Sequence, residues 1–333
     1  MTEPTKVAVV GVGRFGQQHV RVYHELPEAE LVGIFDADAA RCEEIAKEYG
    51  CRAFTSLQDV FGQVQAASVA VPTKSHAEIG CKLLEAGIDV LVEKPIAASL
   101  GETDALIAAA EKHNRILQVG HLERFNPAVE AARAIAHSPL FFEAHRLSIF
   151  SPRSLDIDVV LDLMIHDLDI VLSLVDSEPE EIHAVGLPVL TPKVDIANVR
   201  IGFQNGCVAN FTASRVSTEQ VRKLRWFQPQ EYVSVDYARQ NGVVIRVENA
   251  ASGHVAHSGG EPKLTFRRLD PPRQEPLQRQ LQEFLRNVQL RQVPTVDGKQ
   301  GRRALELAHH ILERIHDHTA RLQKGLGSSL API

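Results

Sequence analysis

The side chains with the clearest chemical potential in this sequence are a lysine in a turn and an aspartate–histidine pair. Lys94 stands between Glu93 and Pro95, directly after an apolar run that is typical of a buried strand. Asp162 and His166 are four residues apart in a segment of Val, Leu, Met and Ile, so a helix stacks them on one face. Polar groups on so apolar a helix need partners or a function. An amine, an imidazole and a carboxylate can take the proton of an alcohol as a hydride leaves.

A glycine-rich loop near the N-terminus is the second chemical feature. An apolar run from Val7 to Val10 leads into Gly11-x-Gly13-x-x-Gly16, and a second apolar run ends in Asp36, twenty residues past the last glycine. This layout is typical of a dinucleotide-binding βαβ unit, in which a helix N-terminus faces the pyrophosphate. Asp36 would accept hydrogen bonds from the ribose hydroxyls and repel a 2′-phosphate, so the sequence favours NAD over NADP. The alternative is a glycine turn between two core strands.

The elements that must position these residues fall into two regions. Apolar runs alternate with helical patterns through the first 120 residues, which predicts a doubly wound parallel sheet. The expected fold class is therefore an α/β Rossmann domain followed by an α+β domain with a large, mostly antiparallel sheet. We place the NAD-binding domain at residues 1–122 and the substrate-binding domain at 123–325. The C-terminal helices are free to pack back on the first domain.

The second region is predicted from extended segments separated by turn signals. Asn205-Gly206 and Asn241-Gly242 each lie between β-type runs and are strong hairpin signals. A helix is expected from Val159 to Leu174, and a loop rich in Gly, Ser, Ala and His at 249–262. Two helical stretches near the C-terminus complete the pattern, from Glu275 to Leu290 and from Arg302 to Leu322.

Composition limits the classes of partner. The 333 residues are 44% hydrophobic and 23% charged with a net charge of −6, so charge alone draws the chain to neither nucleic acid nor an anionic membrane. The start of the chain is polar and no run reaches the roughly 18 apolar residues of a membrane span. The cysteines show no metal or redox spacing, which predicts a reduced, cytoplasmic protein. They are Cys42, Cys51, Cys81 and Cys207.

Two further clusters carry weaker signals. A histidine cluster near the C-terminus has no third ligand in reach, so we expect no metal. Its members are His309, His310, His316 and His318. A basic cluster beside Trp226 is expected to be a solvated or phosphate-facing strand rather than a nucleic-acid site. Its members are Arg215, Arg222, Lys223 and Arg225.

Open parallel sheets bind ligands at the carboxyl ends of their strands, and three such ends carry polar residues. These segments are 72–76, 93–95 and 120–127. Structural alternatives stand beside the functional ones. Asp162 and His166 could simply satisfy each other in a packed helix, and Arg124 could be an ordinary ion-pair partner of a neighbouring glutamate.

The glycine loop, the Glu93-Lys94-Pro95 tripeptide and the Asp162-x-x-x-His166 pair together resemble the glucose–fructose oxidoreductase/inositol dehydrogenase (Gfo/Idh/MocA) family. The resemblance implies NAD(P)-dependent sugar oxidation, with Lys94 beside the nicotinamide. Asp162 and His166 would hold the substrate and complete the acid/base site, and either Lys94 or His166 could accept the proton. The peptide bond before the proline of the tripeptide is a candidate cis bond.

The residue patterns and the resemblance together give two sets of predicted site residues. The cofactor set is Gly11, Gly13, Arg14, Phe15, Gly16, Asp36, Pro72, Thr73, His76, Glu93, Lys94 and His121. The substrate set is Lys94, Arg124, Asn126, Arg153, Asp162, His166 and Arg215. Three of the substrate residues are arginines, whose guanidinium fork suits the diphosphate of a nucleotide sugar.

Within the family, three stretches are similar to enzymes that oxidise the 3-hydroxyl of UDP-N-acetylglucosamine. They are Val119–Ala128, Val160–Asp169 and Asn210–Ser217. The implied ketone product is a substrate for a partner aminotransferase that makes a 3-amino sugar. A homo-oligomer, dimer or tetramer, is expected through the sheet of the second domain. The alternatives are a dehydrogenase acting on the corresponding uronate or on a polyol such as inositol, and a non-catalytic NAD-binding sensor.

Overall fold

The computed structural model describes residues 3–151, 157–248 and 263–326. The chain forms two compact units. The first unit comprises Met1–Phe125 and Gln274–Leu305, and the second comprises Asn126–Arg273 and Glu306–Ile333. Each unit is built around its own sheet.

The first unit contains a six-stranded parallel sheet in the order β3-β2-β1-β4-β5-β6. Its strands are β1 (Thr5–Val10), β2 (Ala29–Phe35), β3 (Arg52–Ala53), β4 (Ala66–Val69), β5 (Asp89–Glu93) and β6 (Leu117–Gly120). Its helices are α1 (Arg14–Glu25), α2 (Ala39–Tyr49), α3 (His76–Glu85) and α4 (Leu100–Lys112). This strand order is that of the dinucleotide-binding doubly wound fold, and the predicted fold class is confirmed. The central strands are apolar and buried because helices cover both faces of such a sheet.

The second unit contains an eight-stranded sheet in the order β14-β13-β12-β11-β7-β10-β9-β8. Its elements are α5 (Pro127–Arg133), β7 (Phe141–Leu147), α6 (Ile165–Leu174), β8 (Pro179–Leu187), β9 (Ile196–Phe203), β10 (Val208–Ser214), β11 (Val221–Gln228), β12 (Glu231–Asp236), β13 (Asn241–Glu248) and β14 (Lys263–Leu269). The β7–β10 pair is parallel and the other pairings are antiparallel. Buried and half-buried residues alternate along β7, so one face of the sheet forms the core. A mostly antiparallel α+β unit was predicted and is confirmed.

Two long helices follow, α7 (Pro276–Leu290) and α8 (Gly298–Leu326). One face of α7 places apolar side chains in the core of the first unit, among residues of β1, β2 and α1. Leu277, Leu281, Phe284 and Val288 recur at three- or four-residue intervals, which is the spacing of one helix face. Helix α7 lies late in the sequence but therefore packs against the sheet that the first part of the chain forms.

Some local predictions agree with the structure and others do not. Asn205-Gly206 does form the β9–β10 hairpin, where Gly206 has φ +85°. Asn241-Gly242 does not form a turn, because it begins β13 and the turn precedes it. A Cβ on Gly242 would lie 2.4 Å from the carbonyl oxygen of Ser234, so close strand contact explains this glycine. The loop predicted at 249–262 lies outside the described residues.

The sequence pattern does not reveal the short strand β3, the helix α5 or the edge strand β14. The helix predicted from Val159 begins instead with a π-helical turn, Val160–Met164, and continues as α6. Within the described ranges, no helix combines the length and the apolar character that a membrane crossing requires.

Candidate functional site

The glycine loop between β1 and α1 has the shape of a phosphate cradle. Gly11 has φ +88°, a conformation that favours glycine, and its missing Cβ would lie 2.8 Å from the carbonyl oxygen of Ala70. A Cβ on Gly16 would lie 1.9 Å from the carbonyl oxygen of Gly11, so helix and loop touch there. Beside Gly13, no atom of the described residues lies within 4 Å of such a Cβ. The loop thus offers open space at the N-terminus of α1, as a bound pyrophosphate requires.

Asp36 follows β2 and faces this loop. Its Oδ2 accepts a hydrogen bond from the backbone N–H of Val12 at 2.7 Å, and its Oδ1 accepts one from Asp38 at 2.9 Å. These bonds fix the carboxylate and use about half of its roughly four acceptor positions. The remaining positions suit the two hydroxyls of a ribose.

The other predicted cofactor residues of the first unit lie at the same sheet edge. Arg14 and Phe15 are exposed in the first turn of α1. Pro72 and Thr73 follow β4, and His121 is buried directly after β6. Contacts of these side chains with the cofactor stay predictions.

Lys94 is half-buried directly after β5, and the Lys94–Pro95 peptide bond is cis, as predicted. The preceding Glu93 carboxylate is buried, and its Oε1 lies 3.0 Å from Nε2 of His19. Its Oε2 accepts the backbone N–H of Lys94 at 3.3 Å. A Cβ on Gly120 would come within 2.5 Å of the Glu93 carboxylate, so glycine is required beside it.

His76 is buried at the start of α3. Its ring is 1% exposed, with Nδ1 2.9 Å from the carbonyl oxygen of Pro95 and Nε2 2.9 Å from that of Val71. Burial lowers the pKa of His76, against the opposing effect of these two carbonyl groups. Both ring nitrogens lie within hydrogen-bond distance of a carbonyl oxygen, and a neutral ring donates through one of them at a time. A contact of His76 with the cofactor stays a prediction.

In the second unit, Asp162 lies in the π-helical turn and His166 in the first turn of α6, both half-buried. The neighbouring Asp167 is buried and accepts two hydrogen bonds from Arg146, at 2.7 and 3.0 Å. The Arg146 guanidinium also lies 5.0 Å from the centroid of the Tyr237 ring. This pair ties the first turn of α6 to β7, one residue after His166. π-turns are frequent at functional sites, and the sequence periodicity did not reveal this one.

Two predicted substrate residues of the 120–127 segment are buried and form hydrogen bonds with other residues of the protein. Arg124 donates to the side chain of Gln300. Asn126 caps α5 by accepting the N–H of Ala128 at 3.2 Å, and it donates to the carbonyl of Tyr237 at 3.0 Å. Substrate contacts of Arg124 and Asn126 stay predictions. Arg153 lies outside the described residues.

Arg215 is also buried and serves a local structural contact. It donates to the carbonyl oxygen of Ile157, just ahead of the π-helical turn, and its Nε lies 3.7 Å from Oδ1 of Asp195. Asp195, which no sequence motif singles out, is fully buried between β8 and β9. Arg215 and Asp195 together hold the chain that leads to Asp162. A contact of Arg215 with substrate stays a prediction.

Asp195 is held as a carboxylate by its surroundings. Burial acts to raise its pKa, but backbone N–H groups of Thr191, Val189 and Leu190 and the Thr191 hydroxyl outweigh burial. The pKa of Asp195 therefore lies below its ordinary value. The three N–H···O distances are 2.6 to 2.8 Å.

Comparison with known proteins shows which sequences and structures this chain resembles. Residues 5–121 match the model of an oxidoreductase family with an NAD-binding Rossmann fold, and residues 142–227 match the GFO/IDH/MocA C-terminal domain. UDP-N-acetylglucosamine 3-dehydrogenase from Acidithiobacillus ferrooxidans is 36% identical over 92% of this chain and 96% of its own length. The chain belongs to the Gfo/Idh/MocA family. A solved structure of that enzyme superposes with a TM-score of 0.87 at 34% identity, covering 95% of this chain and 98% of the other.

More distant proteins are similar to this chain in sequence or in fold. Myo-inositol 2-dehydrogenase from Thermotoga maritima is 24% identical over 97% of this chain and its full length. A levoglucosan dehydrogenase, solved with NADH and levoglucosan, has a TM-score of 0.81 at 19% identity, with coverage of 94% and 98%. This Gfo/Idh/MocA protein is thus an oxidoreductase whose cofactor is NAD. The open cradle at Gly13 and the fixed carboxylate of Asp36 fit that cofactor.

Proposed function

We propose that this protein oxidises the 3-hydroxyl of UDP-N-acetylglucosamine to a ketone. The observation that carries the proposal is the 36% identity with a UDP-N-acetylglucosamine 3-dehydrogenase across 92% of the chain. The resemblance extends along both units rather than along the NAD-binding part alone.

The reaction removes a hydride from C3 of the sugar and a proton from its 3-hydroxyl. Bound NAD supplies the hydride acceptor at C4 of its nicotinamide. Lys94 and His166 are the two groups that we assign to the proton, one as acceptor and the other as orienting partner. Asp162 orients His166 or a sugar hydroxyl. The half-buried state of all three side chains supports this assignment, since each remains accessible to a ligand.

For the diphosphate, the proposal relies on arginine, whose fork forms paired bonds with phosphate oxygens. Arg124 and Arg215 already donate to protein groups, so we assign their first role to shaping the segments around Asn126 and Ile157. Arg153 is then the proposed phosphate contact, on the basis of its residue type and its place in the sequence ahead of Asp162.

We further propose that the protein forms a homo-oligomer through the outer face of the second sheet. One row of this face crosses neighbouring strands and is apolar, through Phe141, Phe227, Tyr232, Ile245 and Phe266. The ring centroids of Phe141 and Phe227 are 5.8 Å apart, and those of Phe227 and Tyr232 are 5.1 Å apart. Phe266 is 69% exposed, which favours a partner over solvent.

Two further proposals concern the protein's location and the enzyme that uses its product. We propose a cytoplasmic location, supported by four free cysteines, of which Cys51 and Cys207 have pKa values raised to about 11 by burial. We also propose that an aminotransferase consumes the product, because a ring ketone is the group on which such an enzyme acts.

A substrate panel tests the proposed activity. Purified protein with NAD is given UDP-N-acetylglucosamine, UDP-N-acetylglucosaminuronate or myo-inositol, and the absorbance of reduced cofactor is followed. We expect turnover with the first sugar well above that with the other two. Preference for the uronate or for inositol would assign another dehydrogenase reaction. Tight NAD binding without turnover on any sugar would favour a sensor.

A further inference from the structure

Lys94 lies between two residues that are each held by a buried histidine. His19 on α1 is fully buried, and its Nε2 is 3.0 Å from Oε1 of Glu93, the residue before Lys94. His76 at the start of α3 is also buried, and its Nδ1 is 2.9 Å from the carbonyl oxygen of Pro95, the residue after Lys94. All five residues belong to the first unit.

The contact made by His76 reaches beyond the lysine turn. Its Nε2 lies 2.9 Å from the carbonyl oxygen of Val71, in the turn after β4. That turn packs against the glycine loop, since a Cβ on Gly11 would lie 2.7 Å from Cγ1 of Val71. A neutral imidazole has one N–H, which we place on Nδ1 facing Pro95, so the ring packs between the lysine turn and the segment that flanks the dinucleotide cradle.

The contact made by His19 orients the Glu93 carboxylate, which is tightly enclosed. The Glu93 carboxylate occupies the space that a side chain at position 120 would need. Its second oxygen accepts a hydrogen bond from the backbone N–H of Lys94. Nδ1 of His19 is buried and has no hydrogen-bond partner among the described residues, so the ring donates through Nε2. Without that donor, the buried carboxylate would lose its fixed orientation against the backbone of Lys94.

We infer that His19 and His76 are positioning residues for Lys94, holding the two ends of its turn against the dinucleotide-binding loop. His19 acts from α1, which begins at that loop, and His76 acts from α3. The inference rests on the proposed role of Lys94 in proton transfer. Neither histidine is assigned a proton from the substrate.

The two histidines use different ring nitrogens, which gives a matched test. The side-chain nitrogen of asparagine stands near the place of Nδ1, and that of glutamine near the place of Nε2. His76→Asn should therefore keep the bond to Pro95, and His76→Gln should lose it. At the other position the order is reversed: His19→Gln should keep the bond to Glu93, and His19→Asn should lose it.

We expect kcat to fall about 100-fold in His76→Gln and in His19→Asn, because a displacement of about 1 Å can reduce the rate by that factor. His76→Asn and His19→Gln should recover most of that loss. The KM for NAD should change much less than kcat in the two His19 variants, since they alter no glycine of the cradle. His113→Gln, at the end of α4, is the control for a histidine change elsewhere in the first unit.

Hydrogen–deuterium exchange of a peptide covering 93–98 provides a measurement that needs no substrate. Exchange should accelerate in His76→Gln and His19→Asn and stay near that of the parent in their paired variants. If the parent shows no turnover but this pattern appears, the proposed function fails while the positioning role stands. Equal losses in both members of each pair, or unchanged exchange in all variants, would overturn the inference.

Discussion

At the residue scale, Lys94 lies in a turn between Glu93 and Pro95, and both of these residues are hydrogen-bonded within the first unit. Replacing it by alanine removes the amine but none of those bonds. We expect Lys94→Ala to reduce kcat by about two to four orders of magnitude, the range for a group in general acid–base catalysis. NAD binding, measured by calorimetry, should persist. Lys82→Ala, which removes an exposed lysine paired with Glu78, is the control and should leave kcat unchanged.

Asp36 and Asp38 form a matched pair for cofactor choice. Asp36 faces the glycine loop, whereas Asp38 caps α2 by accepting the N–H of Arg41. Asp36→Ala should weaken NAD binding and reduce the preference for NAD over NADP, because the 2′-phosphate is no longer repelled. Asp38→Ala should lower the free energy of unfolding by about 1 kcal/mol and leave the preference alone. Unchanged preference in Asp36→Ala, from the ratio of kcat/KM values, would refute the assignment.

Residue types and spacing predicted Lys94, the glycines and Asp36 at the edge where the structure places them. They did not predict the contacts of the His76 ring with Pro95 and Val71, because a sequence does not show which backbone carbonyl groups a ring will meet. His19 was missed altogether. Its one signal is its place three residues after Gly16, on the side of α1 that faces the sheet.

At the element scale, the buried Arg146–Asp167 pair holds α6 against the second sheet. Arg146→Met leaves a buried carboxylate without its cation, so we expect the free energy of unfolding to fall by about 3–5 kcal/mol in urea titrations. Combining it with Asp167→Leu should recover much of the loss. The exposed Lys82–Glu78 pair should contribute no more than about 1 kcal/mol. A loss of that smaller size in Arg146→Met would argue against a structural role for the buried pair.

Asp195 gives the second unit a pH-dependent contribution with a definite sign. Because its pKa is lowered by folding, the contribution is complete above the ordinary carboxyl pKa of about 3.9 and is lost as pH falls through the folded-state value. We expect Asp195→Asn to be less stable by about 1–3 kcal/mol near neutral pH. The difference should narrow below about pH 4. A difference that stays constant over denaturant titrations at several pH values would contradict this account.

Periodicity predicted most elements because buried parallel strands and amphipathic helices leave strong patterns. It failed where tertiary contact decides. Gly242 looked like a turn residue but is a strand residue in close contact with Ser234. The outward-facing edge strand β14 shows little apolar alternation, and the π-turn at Val160–Met164 differs from an α-helix by one hydrogen-bond register.

At the scale of the whole molecule, the apolar row on the outer face of the second sheet predicts self-association. Phe227→Glu combined with Phe266→Glu places two charges in that row. We expect this double variant to sediment as a smaller species than the parent in analytical ultracentrifugation, with an unchanged circular dichroism spectrum. Val293→Glu, which alters an apolar residue that is 77% exposed in the first unit, is the control. An unchanged sedimentation coefficient in the double variant would exclude this face as the interface.

In the proposed reaction, a hydride leaves C3 of UDP-N-acetylglucosamine for the nicotinamide of NAD. UDP-N-acetylglucosamine carrying deuterium at C3 tests it directly, through the mass and proton spectrum of the cofactor after incubation with the purified protein. We expect one deuterium at C4 of the reduced nicotinamide and a 3-keto sugar. Reduced cofactor without deuterium, or a cofactor that stays oxidised, would contradict it.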